Sequence, residues 1–476
     1  MNQLSFTITR QLHTQILVVG GGVAGCAAAL AAARCGAQVM LLESGGVLGG
    51  MAGAGLVTPL DAIKTKKTKR PLGGILTELY GEIRALGEKY CANEGIADSY
   101  KGACVPHVTK YVLLKKLVEA GVELRFHTTL VSAETQGRRV CAAVALDKSG
   151  FVLIHADSFI DATGDGELIF HTGADFALGS EAGVFEALSS NQMNNRHFSD
   201  EKYTEYAQDG VMQPVSIFFV MGGVDFPVAE KLNNRALTFD DLGIDHERFA
   251  AWPFAGSLGF EMSDEHVPMP QGRVLVSRGP REDMAVVNMS RITGINGADA
   301  DSLNEGEIKA QLQLMAIVDF LQTFIPGFEG SYLVQSGNTL GVRETRRLRG
   351  RYVLSGSEAI RCATHPDTIA RGTYMIDIHD PNGRSGAIGG YIKGEFYDIP
   401  YGCLLPKEFD NLLAVGRCIS ADHVAHASTR IQGTCIMTGQ AAGTAAALAL
   451  DENITPAALD VKKLQEKLLQ DGVYLK

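Results

Sequence analysis

Short apolar runs punctuated by glycine dominate the two ends of the chain. Ile16, Leu17, Val18 and Val19 form an unbroken apolar run that predicts a buried strand, and the Ala-rich stretch after Gly25 predicts a helix. A second apolar run, Val39, Met40, Leu41 and Leu42, predicts a parallel neighbour. Residues 117–129 read as the tail of a helix, a turn at Gly121 and a strand over 122–126. Residues 140–145 and 151–155 alternate as two strands joined across Ser149 and Gly150 in a hairpin. A further apolar strand breaks into glycine at 158–166, and another at 411–417. The Ala- and Gly-rich stretch 434–450 predicts a buried helix, too small in its residues and too interrupted by Thr438, Gln440 and Thr444 to span a membrane.

Between these ends the pattern changes. Alternating strands are expected over 215–224, 273–277 and 284–292. A strong helix is expected over 305–324, with Ile308, Leu312, Met315, Ala316, Val318 and Phe320 on its apolar face. The whole predicts an α/β protein. Residues 12–178 and 408–476 make one Rossmann-like three-layer domain with a parallel central sheet, and residues 179–407 make an inserted α+β cap.

Composition narrows the function. The chain has 476 residues, 46% hydrophobic and 20% charged, which is an ordinary globular balance. A net charge of -11 argues against nucleic acid as the main partner. The nine cysteines contain no CxxC pair, so redox dithiol and iron–sulfur spacings are missing and a reducing, cytoplasmic location is expected. The first residues lack the pattern of an export signal, and no membrane partner is expected. No histidine or cysteine spacing points to a metal site.

The glycines carry the chemistry. Gly20, Gly22 and Gly25 follow the first strand and open a helix whose free N–H groups suit a pyrophosphate. Glu43, 18 residues after Gly25, ends the second strand where a carboxylate accepts ribose hydroxyls. Together they read as a dinucleotide site.

Six motifs occur in order: Gly20 to Gly25, Leu48-Gly49-Gly50, Asp161-Ala162-Thr163-Gly164-Asp165-Gly166, Val342-Arg343-Glu344-Thr345-Arg346-Arg347, Ile399-Pro400-Tyr401, and residues 411–420 with Gly439-Gln440-Ala441-Ala442-Gly443. This series resembles the bacterial FAD-dependent oxidoreductase family of the glutathione-reductase superfamily, distantly related to fumarate reductase flavoproteins. The resemblance runs from about residue 15 to 450 and implies FAD as cofactor. It assigns Gly20, Gly22 and Gly25 to the pyrophosphate, Glu43 to the adenosine ribose, and Gly49 and Gly50 to the phosphate and flavin side. Ala162 and Gly164 fall near the adenosine, and Gly416 with the helix of Gln440 near the ribityl chain and flavin ring. Val23, Ala24, Ser44, Met51, Arg417 and Gly433 complete the implied cofactor contacts. Residues 44–53 hold no histidine, so the tether found in fumarate reductase relatives is missing and the FAD is expected to be non-covalent.

Substrate chemistry falls to polar residues outside those motifs. Arg343, Arg346, Arg347, Arg349 and Arg351 crowd one segment, which in an extended form puts Arg346 opposite the rest. That cluster suits either a salt-bridged edge strand or an anchor for a carboxylate or phosphate, with Arg343 and Arg430 the favoured anchors. His379, with Asp377 on the same face of an extended segment, is the first choice for a base titrating near neutrality, and His423 the second. The expected reaction is hydride transfer between flavin N5 and a small polar or anionic metabolite, with an unknown electron donor or acceptor. Two alternatives stay open: a non-redox lyase, isomerase or hydratase with structural FAD, and a flavin-binding electron-transfer subunit of a complex.

Overall fold

The computed structural model describes residues 7–91, 105–182, 184, 209–258, 265–381 and 387–476. Cys104 therefore lies outside the described residues.

The central sheet is built from β1 (Ile8–Val19), β2 (Val39–Leu42), β3 (Glu123–Arg125), β4 (Thr129–Gln136), β5 (Arg139–Asp147) and β6 (Gly150–Asp161), in the order β3-β2-β1-β6-β5-β4. The short pair β7 (Phe176–Leu178) and β12 (Arg346–Leu348) lies apart from it. A four-stranded antiparallel sheet contains β8 (Phe219–Gly222), β9 (Val276–Arg278), β10 (Ala285–Val287) and β11 (Tyr332–Ser336). Further along, β13 (Thr368–Gly372) pairs with β16 (Tyr397–Pro400) and β14 (Ile376–His379) with β15 (Ala387–Gly390). The last strand, β17 (Leu412–Ala414), returns to the central sheet beside β6.

β6 is long enough to serve two partners along one edge. Its first half pairs antiparallel with β5, and its last three residues, Phe159, Ile160 and Asp161, pair parallel with β17. The strands β3, β2, β1, β6 and β17 are parallel, so their carboxyl ends share one rim of the sheet. Ligands of open α/β sheets bind at such a rim.

Alternation along β1 separates two of the cores. Ile16 and Val18 face a core shared with α1 (Val23–Arg34), α2 (Gly74–Cys91), α3 (Pro106–Glu119) and the helix Gln432–Asp451. Leu17 and Val19 face the opposite core with α4 (Glu167–Thr172), Leu348 and Phe409. This is the three-layer α/β arrangement read from the sequence. A third core, spanning Val215 to Leu340, belongs to the antiparallel sheet and the long helix Ala300–Phe324. The segment containing Leu354, Ile369, Ile376, Tyr397 and Leu404, which the sequence groups with the cap, adds its apolar side chains to the helical core of the nucleotide domain.

Two local expectations are corrected. In the long helix, Ile308, Leu312 and Met315 are exposed, while Gly306, Ala310, Leu314, Ile317, Leu321 and Phe324 form the buried face. The helix carries two apolar stripes at helical spacing, and the one that starts on the small residues Gly306 and Ala310 permits the closer packing. The arginine-rich segment is a strand only over Arg346–Leu348, so its side chains part company. Arg347 is fully buried, Arg346 covers the ring of Phe170, and Arg351 reaches Asp410 at 2.7 Å.

Candidate active site

Three neighbouring strands of the rim end on glycines with positive φ. β1 is followed by Gly20 (φ 105°), β6 by Gly164 (φ 81°) and β17 by Gly416 (φ 71°). Side chains are doubly excluded at Gly20, where a β-carbon would also stand 2.5 Å from the carbonyl oxygen of Ala162 on the adjacent strand. Gly22 is the N-cap of α1 and offers no capping side chain, and a β-carbon there would meet nothing within 4 Å. The first N–H groups of α1, at Val23 and Ala24, therefore face an open cradle with partial positive charge.

Glu43 stands beside this cradle. Its Oε2 accepts the N–H of Gly21 at 2.9 Å and its Oε1 accepts the N–H of Gly45 at 2.7 Å, with the Ser44 hydroxyl at 3.4 Å. A carboxylate has about four lone-pair sites, and the two backbone N–H groups and the Ser44 hydroxyl take three, so room remains for one ribose hydroxyl while the Ser44 bond holds. His127, which the sequence did not single out, lies against Gly46 at this end; a lone histidine in a turn carries no pattern by which to find it. Gly49 donates its N–H to the carbonyl of Gly21 at 2.8 Å, which ties the Gly49-Gly50-Met51 turn to the first glycine loop.

The helix Gln432–Asp451 runs parallel to α1 and in backbone contact with it. A β-carbon on Gly439 would stand 2.1 Å from the carbonyl oxygen of Ala24, and one on Gly443 would stand 2.0 Å from that of Ala28. Matching 439 with 24 and 443 with 28 fixes the stagger. The helix Gln432–Asp451 starts seven residues before Gly439 and α1 one residue before Ala24, so its N-terminus lies about 9 Å beyond that of α1 along their common axis. Two helix N-termini thus line one groove in succession. Thr434, in the first turn of the second helix, has a buried hydroxyl with no hydrogen-bond partner among the described residues.

An FAD fits this groove. Glu43 would hold the adenosine, Gly22, Val23 and Ala24 the pyrophosphate, and the turn at Gly433 and Thr434 the flavin end. Arg417 lies over Gly164 and pairs with Asp165 at 2.9 Å. Gln440 is directed elsewhere: its Oε1 accepts the N–H of Ile75 at 2.9 Å, fastening the start of α2.

Three of the four candidate substrate-side residues come together beyond the start of the C-terminal helix. Strand β14 buries Ile376 and Ile378 in the helical core and turns Asp377 and His379 to the other face, as alternation requires. Arg430 caps the helix His423–Thr429 and donates to the Asp377 carbonyl at 2.8 Å, with the Asp377 carboxylate at 3.6 Å. Arg343 bonds to the carbonyl of Pro214. His379 Nε2 lies 3.6 Å from Asp377. Gln213 and Arg291, both absent from the sequence-based candidates, close the cluster: Gln213 accepts the His379 N–H at 3.0 Å and Arg291 donates to the Asp380 carbonyl at 2.8 Å. Nothing in their local sequence marks them; only the packing of the antiparallel sheet against β14 brings them in.

Burial governs the charges here. It pushes Arg343 down to about 9, with Arg430 adding like-charge repulsion and Asp377 opposing. It pushes His379 down to about 4, with Arg343 reinforcing and Asp377 opposing. A base titrating near neutrality, expected from the sequence, is thus displaced to the acid side by burial beside a guanidinium. The Asp377 carboxyl resists its own burial because His379 and Arg430 hold it well below the usual range. At pH 7 Arg343, Arg430, Asp377 and His379 together present two guanidinium cations, one carboxylate and a neutral imidazole, and Arg291 adds a third cation that Asp380 opposes.

His423 belongs to a neighbouring, fully enclosed network. Its Nδ1 lies 2.7 Å from Glu344, Glu344 bonds Arg347, and Arg347 reaches Glu181 at 2.6 Å. Its backbone N–H also donates to Glu181 at 3.0 Å. Among the described residues no group of three or more His, Cys, Asp or Glu could hold a metal ion, and no helix is long and apolar enough to cross a membrane.

Comparison with known proteins names the cofactor. No curated protein matches the sequence. Solved structures similar to this chain include a geranylgeranyl bacteriochlorophyll reductase-like protein from Thermoplasma acidophilum, at 13% identity and a TM-score of 0.45 over 97% of this chain and 85% of that one. Another is the p-nitrophenol 4-monooxygenase of Pseudomonas putida DLL-E4, at 10% identity and a TM-score of 0.44 over the same shares. A third is a myxobacterial chondrochloren halogenase, at 10% identity and a TM-score of 0.43 over 96% of this chain and 78% of that one. The family model described as FAD dependent oxidoreductase matches residues 15–468, nearly the whole chain and every element that lines the groove. The chain belongs to the FAD-dependent oxidoreductase family.

Proposed function

We propose that this enzyme transfers a hydride between non-covalently held FAD and a carbon of a small, carboxylate-bearing metabolite. The observation that carries the reading is the group of buried Arg343 with the largely enclosed Arg430 and Asp377, which has two guanidinium charges to one carboxylate and adjoins the start of the helix Gln432–Asp451. A surplus cation out of water is costly, and an anionic ligand restores the balance. The kinship with the glutathione-reductase superfamily, and more distantly with fumarate reductase flavoproteins, is part of this reading and rests on the order of the six motifs.

FAD, when bound, supplies the two-electron acceptor or donor. The residues of the chain do the rest. Arg343 and Arg430 hold the carboxylate by directional, charge-assisted bonds. His379, neutral at pH 7, accepts or returns the proton of a substrate hydroxyl or amine. The two packed units exclude water from the cluster, which strengthens each of these interactions.

Titration of the FAD-loaded protein with carboxylates and with neutral amides of the same skeleton tests the reading. Carboxylates should perturb the flavin absorbance at concentrations where the amides do nothing. Equal responses to both would remove the anionic substrate.

A further inference from the structure

Gln213 is 1% exposed and sits where the chain enters the antiparallel sheet. Its side-chain oxygen accepts the backbone N–H of His379 at 3.0 Å. Because that neighbour is a donor, the amide must present its oxygen there, and its NH2 group is forced to point away. That Nε2 has no hydrogen-bond partner among the described residues. The same holds for Nε of Arg430 and Nδ1 of His379, so three segments of the chain bring unpaired, buried polar atoms to one cluster. Buried donors of this kind are normally satisfied.

Arg343 and Arg430 outweigh the Asp377 carboxylate and account for the charge of an anionic ligand. A neutral amide donor beside them calls for a second, uncharged acceptor. Arg343 is held by the carbonyl of Pro214, the residue next to Gln213, so consecutive backbone positions tie the two donors to one place. Resting on the anionic-substrate reading above, we infer that Gln213 donates to an oxygen on the carbon adjacent to the carboxylate, and that the site takes 2-hydroxy or 2-oxo carboxylates. In the oxidative direction the C–H hydrogen leaves as hydride to FAD, the hydroxyl proton passes to His379, and the C–O bond becomes C=O. The oxygen stays an acceptor for Gln213 throughout. A site built to hydrogen-bond an oxygen rejects the analogue without it, because its own donor is then left unpaired.

The test is calorimetric titration of the FAD-loaded protein with oxamate, pyruvate and propionate. The expected result is that oxamate and pyruvate bind at least tenfold more tightly than propionate, and that Gln213→Glu and Gln213→Met reduce this ratio below about twofold. Gln213→Glu keeps an oxygen for the His379 N–H, so a role confined to that link would leave the ratio unchanged. An unchanged ratio in both variants, or equal binding of propionate by the parent protein, overturns the role of Gln213 and leaves the anionic reading standing. Failure of all three carboxylates to bind overturns both.

Discussion

Gly439 touches the backbone of Ala24 so closely that a β-carbon would stand 2.1 Å from the Ala24 carbonyl oxygen. This contact sets the stagger of two parallel helices, and the stagger sets the distance between their N-termini, the proposed pyrophosphate and flavin ends. Gly439→Ala should therefore cost about 1–3 kcal/mol of stability through overpacking and weaken FAD retention as well. Gly81→Ala is the contrast: it lies exposed inside α2 with nothing within 4 Å of the new methyl, and should gain about 0.5–1 kcal/mol. Thermal unfolding with and without added FAD measures both.

Glu43 accepts the backbone N–H groups of Gly21 and Gly45 and is proposed to hold the adenosine ribose. Glu43→Ala removes a charged acceptor from bonds worth about 1.5–3 kcal/mol each, so the FAD dissociation constant should rise at least tenfold. Unchanged FAD content after exhaustive dialysis would remove Glu43 from the cofactor site.

How far the sequence reaches is visible in these two contacts. Glycine turns and apolar strands are local, so Gly20, Glu43 and the helix Gln432–Asp451 are legible from spacing alone. The small-residue stripe at Gly439 and Gly443 suits a flat ligand or a neighbouring helix equally well, and only tertiary packing assigns it to α1. Alternation within 377–379 is likewise local and appears as β14. By contrast, Arg343 and Arg347 look equivalent in sequence, yet one faces Pro214 and Arg430 while the other is sealed against Glu344 and Glu181. Gln213 has no signature at all. Its place depends on a contact between residues 166 apart in the chain.

Burial beside Asp165 and Asp161 pushes the Glu167 carboxyl up to about 7, from an ordinary value of 4.5. The native state thus binds a proton that the unfolded state releases. Its stabilising contribution is complete below pH 4.5 and is lost as pH rises through 7. Glu167→Gln should flatten the stability profile, sparing about 1–3 kcal/mol of the loss between pH 5 and 8. Denaturant unfolding of both proteins across that range checks the sign.

His379, pushed down to about 4, is already deprotonated at neutral pH. The kcat/KM profile for an oxidised substrate should show no inflection near 6.5 from this group and should fall only toward pH 4. His379→Gln should slow substrate-driven flavin reduction by about 10²–10⁴ and remove the acidic limb. A variant with the parent rate and profile would exclude His379 as base.

The account stands or falls on Arg343 and Arg430 holding an anionic substrate against the flavin. The most direct measurement is anaerobic stopped-flow flavin reduction by 2-hydroxy and 2-amino carboxylates, and reoxidation by 2-oxo acids, in the parent protein and in Arg343→Ala and Arg430→Ala. The predicted result is that a carboxylate drives one of these reactions, and that each variant keeps its FAD while losing at least tenfold in apparent second-order rate, about 1.4 kcal/mol. Full rates in both variants, or flavin turnover by neutral compounds alone, would contradict it.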